Sequence, residues 1–460
     1  MTTTSTPTER APSGVGLLAV LLPALLVTVI ASDMVNLMLP SIGAEFTASE
    51  AELAWVVTGF LLVFAVGIPF YGRTSDRVGL RQLFTFALLA YAAGSLICAL
   101  APDLLVLVLG RIVMGIGAAA VPVLSMVAIT RLIPADRRGT GIGALSAAAG
   151  VGAAAGPALG GGIGQFLGWR ALFWVMVVAV LVLLPAARRV LPGDVPEGAS
   201  RFDLLGGIFL GVGSGLLLFG ATQAQVAGLT APSSWGSFLV AAAAIALFGW
   251  RTVHVANPFV PPALFANRVY RIAVLVTFLA MAVNLGGLVF VPLLIVDVNG
   301  LEPGIGALVM IPAGISVAVL SPLIGRLADR IGTRPLVVVG LAIMAASALF
   351  LATATTSVVP IAAGILGLSV GFILVLTPII SAAASALPSE QVGIGLGILQ
   401  GAEFLGAGTG PALFAVLVAA RQQTVGAATA FSEVFLVMAV VVVLALITAF
   451  RMRPAHHEAH

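Results

Sequence analysis

The sequence predicts an all-α integral membrane protein with fourteen transmembrane helices, arranged as six, two and six. Of its 460 residues, 60% are hydrophobic and only 8% are charged, too little polar surface to cover a water-soluble globule. The chain also contains fourteen apolar runs, each long enough or nearly so to cross ~30 Å of hydrocarbon. These runs lack the alternation of membrane β-strands, so we expect helices.

The expected segments follow in chain order. Residues 1–13 are rich in Thr, Ser and Pro and form an expected disordered tail, and residues 453–460 form a second tail. The first apolar run is too long for a signal-peptide core, so we expect it to be retained as a span. The fourteen runs are 15–39, 52–71, 82–101, 104–128, 140–166, 171–187, 205–227, 236–252, 271–296, 303–324, 335–355, 357–382, 392–419 and 431–450.

Two motifs occur twice, which indicates an internal repeat. The first comprises Gly72, Asp76, Arg77, Gly79 and Arg81, and it returns 253 residues later as Gly325, Asp329, Arg330, Gly332 and Arg334. The second comprises Gly152, Gly156, Pro157 and Ala158, and it returns 254 residues later as Gly406, Gly410, Pro411 and Ala412. Two motif pairs at nearly one offset indicate duplication rather than chance.

The offset also determines the expected domain organisation. Six spans that end near residue 187 do not fill 253 residues, so a segment of about 80 residues must intervene. We therefore expect a six-helix bundle over 14–187, an inserted two-helix segment with its linkers over 188–270, and a second six-helix bundle over 271–452.

The arginines predict the orientation in the membrane. With the N-terminus inside, eighteen arginines fall on the cytoplasmic side, and only Arg170 and Arg421 fall outside. An even number of spans then places both termini in the cytoplasm of a bacterium, with the chain in its cytoplasmic (inner) membrane. The basic residues are scattered through short loops, which argues against nucleic-acid binding despite the net charge of +3. The single cysteine, Cys98, excludes an intrachain disulfide and a Cys-ligated metal site.

Several motifs resemble those of a known family. Gly72 to Arg81 lies between the second and third spans, Arg111, Gly115 and Gly117 lie in the fourth, and Gly152 to Gly161 lies in the fifth. Residues 33–40, 202–206 and 261–268 add further matches. Together they resemble the fourteen-span drug:proton antiporter family of the major facilitator superfamily, which includes tetracycline and multidrug exporters. Met114 departs from the family pattern, which often has glutamine there.

The resemblance implies the major facilitator fold and an activity. The protein would be a proton-coupled exporter that exchanges protons for a lipophilic compound, cationic or neutral, by alternating access of two bundles. Its partners would be that small molecule, protons and the lipid bilayer; we expect a monomer, no metal and no cofactor beyond the coupling proton. Export of an endogenous metabolite by the same antiport is the near alternative. A membrane enzyme or sensor is an alternative of another class.

Ionisable residues inside a membrane are costly, which makes Asp33, Arg111 and Glu403 functional candidates. Asp33 lies six residues from the outer end of the first run and Arg111 seven from that of the fourth, so both lie roughly 9–11 Å below one surface. A nearby arginine favours an ionised carboxylate, whereas burial favours the neutral form, so changing water access would load or release a proton. Asn36 shares the helix face of Asp33. The alternative is a static ion pair.

Glu403 has no acidic counterpart in the repeat, because the matching position is Ala149. We expect Glu403 in a central cavity with Asn284 and Gln400, where it binds a proton or contacts a cationic substrate. The alternative is a permanently protonated carboxyl that hydrogen-bonds to Gln400 or Asn284.

The repeated motifs themselves are expected to act in gating and packing. In the resembled family, loops like Gly72 to Arg81 clamp the cytoplasmic side, so we expect gating by Gly72, Asp76, Arg77, Gly79, Arg81, Asp329, Arg330 and Arg334. The alternative is a solvated loop that follows the positive-inside rule. Gly152, Gly156, Pro157 and Gly160 provide a small-residue face for close helix packing, with a bend at the proline. Their resemblance to the antiporter motif favours export over uptake.

Overall fold

The computed structural model describes residues 14–35, 38–48, 50–193, 203–226, 228, 231–301 and 303–452. Within these ranges the chain forms seventeen α-helices and two 3-10 turns, at Ala135–Arg137 and Ser389–Gln391. The helices are α1 (Gly14–Met34), α2 (Leu39–Phe46), α3 (Glu50–Ser75), α4 (Leu80–Ala99), α5 (Leu104–Ala118), α6 (Ala120–Leu132), α7 (Arg138–Leu167), α8 (Trp169–Val190), α9 (Leu204–Val226), α10 (Pro232–His254), α11 (Ala263–Ala266), α12 (Arg268–Asp297), α13 (Pro303–Ile331), α14 (Thr333–Thr353), α15 (Val358–Ser385), α16 (Val392–Val425) and α17 (Ala427–Phe450).

Twelve helical segments of the described chain are long and apolar enough to cross a membrane, with α5 and α6 forming one of them. The described residues therefore support twelve spans, and the fourteen expected from the sequence stay a prediction. The difference lies at α1 and α7. In α1 the side chains of residues 31–33 lie outside the described part of the chain, so only the apolar stretch Gly14–Ile30 is considered, and it is too short for a span. Helix α7 has 30 residues, but five side chains between Ala153 and Gly161 lie outside the described part of the chain, so it is not counted among the twelve.

The first apolar run was wrongly expected to continue to residue 39. Helix α1 ends at Met34, and α2 begins at Leu39 with Pro40 in its first turn. Proline has no amide hydrogen to donate and favours the first turn of a helix, so the chain starts a new helix at this point. Asp33 consequently lies at the end of α1 and not six residues before it.

Helices α1–α8, the N-terminal half, and α12–α17, the C-terminal half, pack in corresponding ways. In the N-terminal half α7 packs on α1, and in the C-terminal half α16 packs on α12. Between the halves, α7 contacts α13 and α3 contacts α16. Each contact has a counterpart at the offset of the sequence repeat, so the repeated motifs lie in equivalent places.

The inserted pair α9 and α10 lies beside both halves. Helix α9 packs on α3 and on α16, and Phe219 of α9 stacks on Trp55 of α3 with ring centroids 5.8 Å apart. Asp203, just before α9, forms a 2.6 Å ion pair with Arg251 of α10. The hydrogen bonds from Arg251 hold the pKa of Asp203 below its usual value. Helix α9 therefore touches the two elements that would separate if the halves moved apart.

Contacts between α1 and α7 define the two ends of the bundle. Gly152 lies against Val29, and Gly160 lies against Met34, so the two helices run parallel and begin at the same end. We call this the proximal end and the opposite one the distal end. At the distal end Glu45 binds Arg170 at 2.6 Å, and Glu433 binds Arg421 at 2.6 Å. Both arginines that the sequence assigns to the outer side are thus paired with carboxylates.

Candidate functional site

A cavity of about 900 Å³ lies between the two halves. Helices α1, α3, α6 and α7 line it from the N-terminal half, and α12, α13, α15 and α16 line it from the C-terminal half. Most lining side chains are apolar, with Met126, Met281 and Met310 among them. Flexible thioether side chains adapt to ligands of different shape. The wall therefore suits a bulky apolar molecule better than a hydrated one.

The polar groups of this cavity lie mainly on the C-terminal half. Glu403 and Gln400 lie on α16, Asn284 lies on α12, and Thr377 lies on α15. Among the described residues that line the cavity, Glu403 is the only one with a charged side chain. The structure thus brings Glu403, Gln400 and Asn284 to one cavity wall.

Three oxygen atoms of this wall are buried without a hydrogen-bond partner among the described residues: Gln400 Oε1, Asn284 Oδ1 and Thr377 Oγ1. A buried polar atom without a partner typically costs ~1–3 kcal/mol. A ligand that carries hydrogen-bond donors or a positive charge would satisfy these acceptors and the carboxylate together.

Aromatic contacts join the two halves beside Glu403. Phe64 of α3 meets Phe404 of α16 edge to face, with ring centroids 4.9 Å apart. Phe60 stacks on Phe64 at 5.7 Å. Phe64, Phe372 and Phe404 line the cavity. The chain has 24 phenylalanines, and neither spacing nor charge separates these three from the rest, so the sequence did not predict which phenylalanines face the cavity.

Arg111 is fully buried and does not line this cavity. Its Nε donates to the Val56 carbonyl at 3.0 Å, and its guanidinium lies 4.2 Å from the centre of the Phe60 ring. A second nitrogen contacts the sulfur of Met114 at 3.7 Å, so the residue that departs from the resembled motif still supplies a weak acceptor. Asn36 and the side chain of Asp33 lie outside the described residues, so their proximity to Arg111 stays a prediction.

Two aspartates clamp the halves together at the proximal end. Asp76, after α3, accepts hydrogen bonds from the amides of Gly393 and Ile394 at 2.9 and 3.0 Å. Asp329, in the last turn of α13, accepts from the amides of Gly139 and Thr140 at 2.8 and 2.9 Å. These amides belong to the first turns of α16 and α7, where donors lack intrahelical partners and a carboxylate is favoured. Each aspartate therefore caps a helix of the opposite half.

The two clamps differ in their third partner. Arg131 of α6 forms a 2.7 Å ion pair with Asp76, whereas the Thr140 hydroxyl donates to Asp329 at 2.9 Å. At the repeat offset, Arg131 corresponds to Ser385 and Thr140 to Ile394. The hydrogen bonds from backbone amides to the aspartate are thus duplicated, while the side chain that contacts the aspartate differs between the two copies.

Close contacts between helix backbones also close the proximal end. A methyl group at Gly72 would lie 2.5 Å from the Gly393 carbonyl oxygen. One at Gly325 would overlap the Gly139 carbonyl oxygen. Such distances leave no room for a side chain, which explains the repeated glycine at the start of the motif.

The remaining residues of the repeated motif make contacts within their own half of the protein. Arg81 donates to the Leu191 carbonyl at 2.7 Å, and its repeat mate Arg334 donates to the Phe450 carbonyl at 3.1 Å. Gly79 and Gly332 directly precede α4 and α14. Arg77 and Arg330 lie next to the two aspartates in sequence.

The antiporter-like motif lies against α1. Gly152 and Gly160 allow the close approach already described, and Gly156 is buried. The side chain of Pro157 lies outside the described residues, so the expected bend stays a prediction. The small-residue face therefore packs within the N-terminal half.

The Asp76 clamp is expected to respond to pH. Burial raises the pKa of Asp76 from 3.8 to about 6 even though Arg131 and Arg73 face it. If the aspartate regains its ordinary pKa when the halves part, protons bind preferentially to the closed state. Lowering the pH from 7 to 5 should then favour proximal closure by about tenfold.

Spin labels at Arg189→Cys and Ser385→Cys, two exposed proximal positions, in a Cys98→Ala background would measure the distance between the halves. Asp76→Asn should remove the response, and an unchanged pH dependence in that variant would assign it to another group.

Comparisons with known proteins agree with this architecture. Residues 21–411 match the profile of the Major Facilitator Superfamily, and residues 272–460 match it again. The multidrug resistance protein Stp of Mycobacterium tuberculosis is 31% identical over 89% of this chain and 75% of Stp. A triacylglyceride transporter of Mycolicibacterium smegmatis is 31% identical over 85% of this chain and 72% of that protein.

A solved structure has the same fold. The proton:xylose symporter XylE superposes with a TM-score of 0.68 over 96% of both chains, at 19% sequence identity. The matched profile and relatives cover most of the helical bundle around the cavity. The chain belongs to the major facilitator superfamily and is a membrane transporter, not an enzyme.

Proposed function

We propose that the protein is a proton-coupled exporter of lipophilic compounds, with cations as the preferred class. The observation that carries this proposal is the lone carboxylate of Glu403 on an otherwise uncharged described cavity wall. A carboxylate in an apolar cavity binds either a proton or a substrate cation, because two positive charges would repel one another there. Competition between the two for one site is the simplest form of antiport.

The proposed topology has fourteen spans in the cytoplasmic membrane of a bacterium, with both termini inside. Helices α1 and α7 would be the additional spans, because α1 has 21 residues and α7 has 30, and about 20 residues cross a bilayer. The proximal end would then face the cytoplasm, which agrees with its arginines. The protein would act as a monomer of two bundles, over 14–187 and 271–452, with the segment 188–270 inserted between them.

The closed proximal end indicates which state of the transport cycle this conformation represents. Both clamps and the glycine contacts lie between the cavity and the proposed cytoplasm. Near the distal part of the cavity, the lining residues Ile311 and Ile315 of α13 are 50% and 58% exposed. We assign the conformation to the outward-facing state, from which substrate leaves and a proton enters.

Proton entry supplies enough free energy for export. A proton that crosses with ~100 mV gains ~2.3 kcal/mol, and a pH difference of one unit adds ~1.4 kcal/mol. Together they support a substrate gradient of a few hundredfold per proton for a neutral substrate. Asp33 and Arg111 would form a second proton site near the distal end, and Asn36 would assist it.

Proteoliposomes loaded with a pH-sensitive dye test the proposal. With the protein reconstituted and an inward proton gradient imposed, addition of tetraphenylphosphonium or ethidium inside should accelerate proton entry, and the cation should accumulate on the acidic side. Liposomes without protein provide the control. Cation movement that is indifferent to the proton gradient would refute coupling.

A second candidate is export of an endogenous lipid-like metabolite by the same antiport. The observation that favours it is the relative named a triacylglyceride transporter, together with the apolar wall. The same liposomes distinguish the two. A neutral acylglycerol that drives proton entry while both cations fail would favour this alternative.

A further inference from the structure

A second cavity, of about 340 Å³, lies between α4 and α8 at the proximal end. Its lining residues are Arg81, Gln82, Thr85, Phe86 and Leu89 of α4 and Arg188 of α8. It shares no lining residue with the central cavity. The clamps do not account for the polar residues gathered here.

Two guanidinium groups face this groove, and no carboxylate is found among its described lining residues. The Nε of Arg81 donates to the Leu191 carbonyl at 2.7 Å, and the Arg81 amide donates to the Pro192 carbonyl at 3.3 Å. These bonds tie the start of α4 to the segment after α8 and hold the Arg81 side chain beside the end of α8, where Arg188 lies. The groove thus has a positive rim, in which the Arg81 guanidinium is held in place.

Below the rim the groove becomes apolar. Phe86 and Leu89 are 56% and 50% exposed, although they lie within the membrane-spanning helix α4. From Arg81 to Leu89, α4 rises about 12 Å. Polarity therefore changes along the groove from charged at the proximal end to apolar toward the membrane interior.

We propose that this groove binds one anionic phospholipid of the inner leaflet. Arg81 and Arg188 would bind the phosphate, since guanidinium groups pair with phosphate through two parallel hydrogen bonds. Gln82 and Thr85 would contact the headgroup or glycerol oxygens, and an acyl chain would lie on Phe86 and Leu89. Basic pockets between helices at a membrane surface suit such headgroups. A free phosphate ion would use the rim but leave the apolar part unused.

The internal repeat supports a binding role over a packing role. Arg334 repeats Arg81 and makes the corresponding bond to the Phe450 carbonyl at 3.1 Å. The positions that correspond to Gln82 and Thr85 are Pro335 and Val338. The hydrogen bond that holds Arg81 is therefore duplicated, whereas the polar side chains at the positions of Gln82 and Thr85 occur in the first copy alone. Packing of the fold does not require that lining.

Native mass spectrometry of the full chain in detergent tests the proposal, with dioleoyl phosphatidylglycerol as the probe. Arg188→Gln should weaken binding of one lipid molecule by about fivefold, because one of two phosphate-binding charges is lost. Arg189→Gln is the matched control, since Arg189 is an exposed neighbour that does not line the groove. Arg188→Lys, which keeps the charge but loses the two parallel hydrogen bonds, should bind with an affinity between those of the wild type and Arg188→Gln. Equal lipid-free melting temperatures for the three variants would show that folding is unaffected.

Two further arms identify the ligand. Phosphatidylcholine, which carries no net charge, should bind the wild type more weakly than phosphatidylglycerol. Glycerol phosphate should fail to displace the lipid, and Phe86→Ser with Leu89→Ser should weaken lipid binding. The proposal is overturned if Arg188→Gln and Arg189→Gln bind equally, if the two lipids bind equally, or if glycerol phosphate displaces the lipid at equal concentration.

Discussion

Glu403→Gln is expected to abolish proton-coupled export and to weaken binding of tetraphenylphosphonium by about 30-fold or more. The carboxylate is the only charged side chain among the described residues that line the cavity, so no neighbouring group replaces its charge. Loss of one partner of a desolvated charge contact costs ~2–5 kcal/mol. Equilibrium dialysis of the purified protein would give the affinity, and the dye-loaded proteoliposomes would give the proton flux.

Glu433→Gln is the matched control for this variant. Glu433 lies on α17 at the distal end, where its carboxylate pairs with Arg421 at 2.6 Å with both side chains partly exposed. An exposed pair contributes little, so binding and flux should stay within twofold of the wild type. Asp33→Asn should reduce proton flux with a smaller effect on cation binding. If Glu403→Gln still binds the cation and carries protons, this residue is not the coupling site.

Asp329→Asn is expected to shift the equilibrium about tenfold toward the proximal-open state. The two carboxylate oxygens of Asp329 accept from the amides of Gly139 and Thr140, at the start of α7. An asparagine would turn its NH2 group toward one of these donors and would lose the attraction between charge and helix dipole. A cap of this kind contributes ~1 kcal/mol and the dipole ~0.3–1 kcal/mol. The spin-label distance between Arg189→Cys and Ser385→Cys would report the shift.

Two controls separate the clamp from general surface charge. Asp136→Asn removes another proximal carboxylate, but that side chain is 73% exposed and pairs only weakly with Arg137, at 3.7 Å; it should leave the distance unchanged. Thr140→Val keeps both amide donors but loses the hydroxyl that donates to Asp329, so it should give a smaller shift than Asp329→Asn. Identical distance distributions for Asp329→Asn and the wild type would exclude a clamp role.

The sequence motifs located the clamps but did not reveal their partners. The paired loops around Asp76 and Asp329 stand out because they repeat at one spacing. Gly393 and Gly139 carry no chemical signal of their own, since a backbone amide becomes a partner only when a helix begins beside a carboxylate. Likewise, Arg131 and Thr140 are ordinary residues until packing places them next to an aspartate.

The cavity residues that could be predicted from the sequence were those with charged or strongly polar side chains. A carboxylate in an apolar run is costly and rare, so Glu403 stood out in the sequence, and Asn284 and Gln400 were named with it as possible hydrogen-bond partners. Phe404 and Thr377 did not stand out, because an apolar or hydroxyl side chain in a membrane helix can face lipid, a neighbouring helix or the cavity with little difference in the sequence. Arg111 was recognised as unusual, but its place behind Phe60 rather than in the cavity depends on helix rotation.

The sequence by itself determined that the chain is an all-helical membrane protein, that it contains an internal repeat and which ionisable groups lie within its apolar runs. These properties follow from local hydropathy, charge and spacing, which need no knowledge of neighbours. Tertiary structure alone decided where α1 ends, which backbone amides the aspartates cap, how α9 contacts both halves and which side chains surround Glu403. Those properties depend on how helices rotate and meet, and apolar helices that are hydrophobic on every face leave that rotation unspecified until they pack.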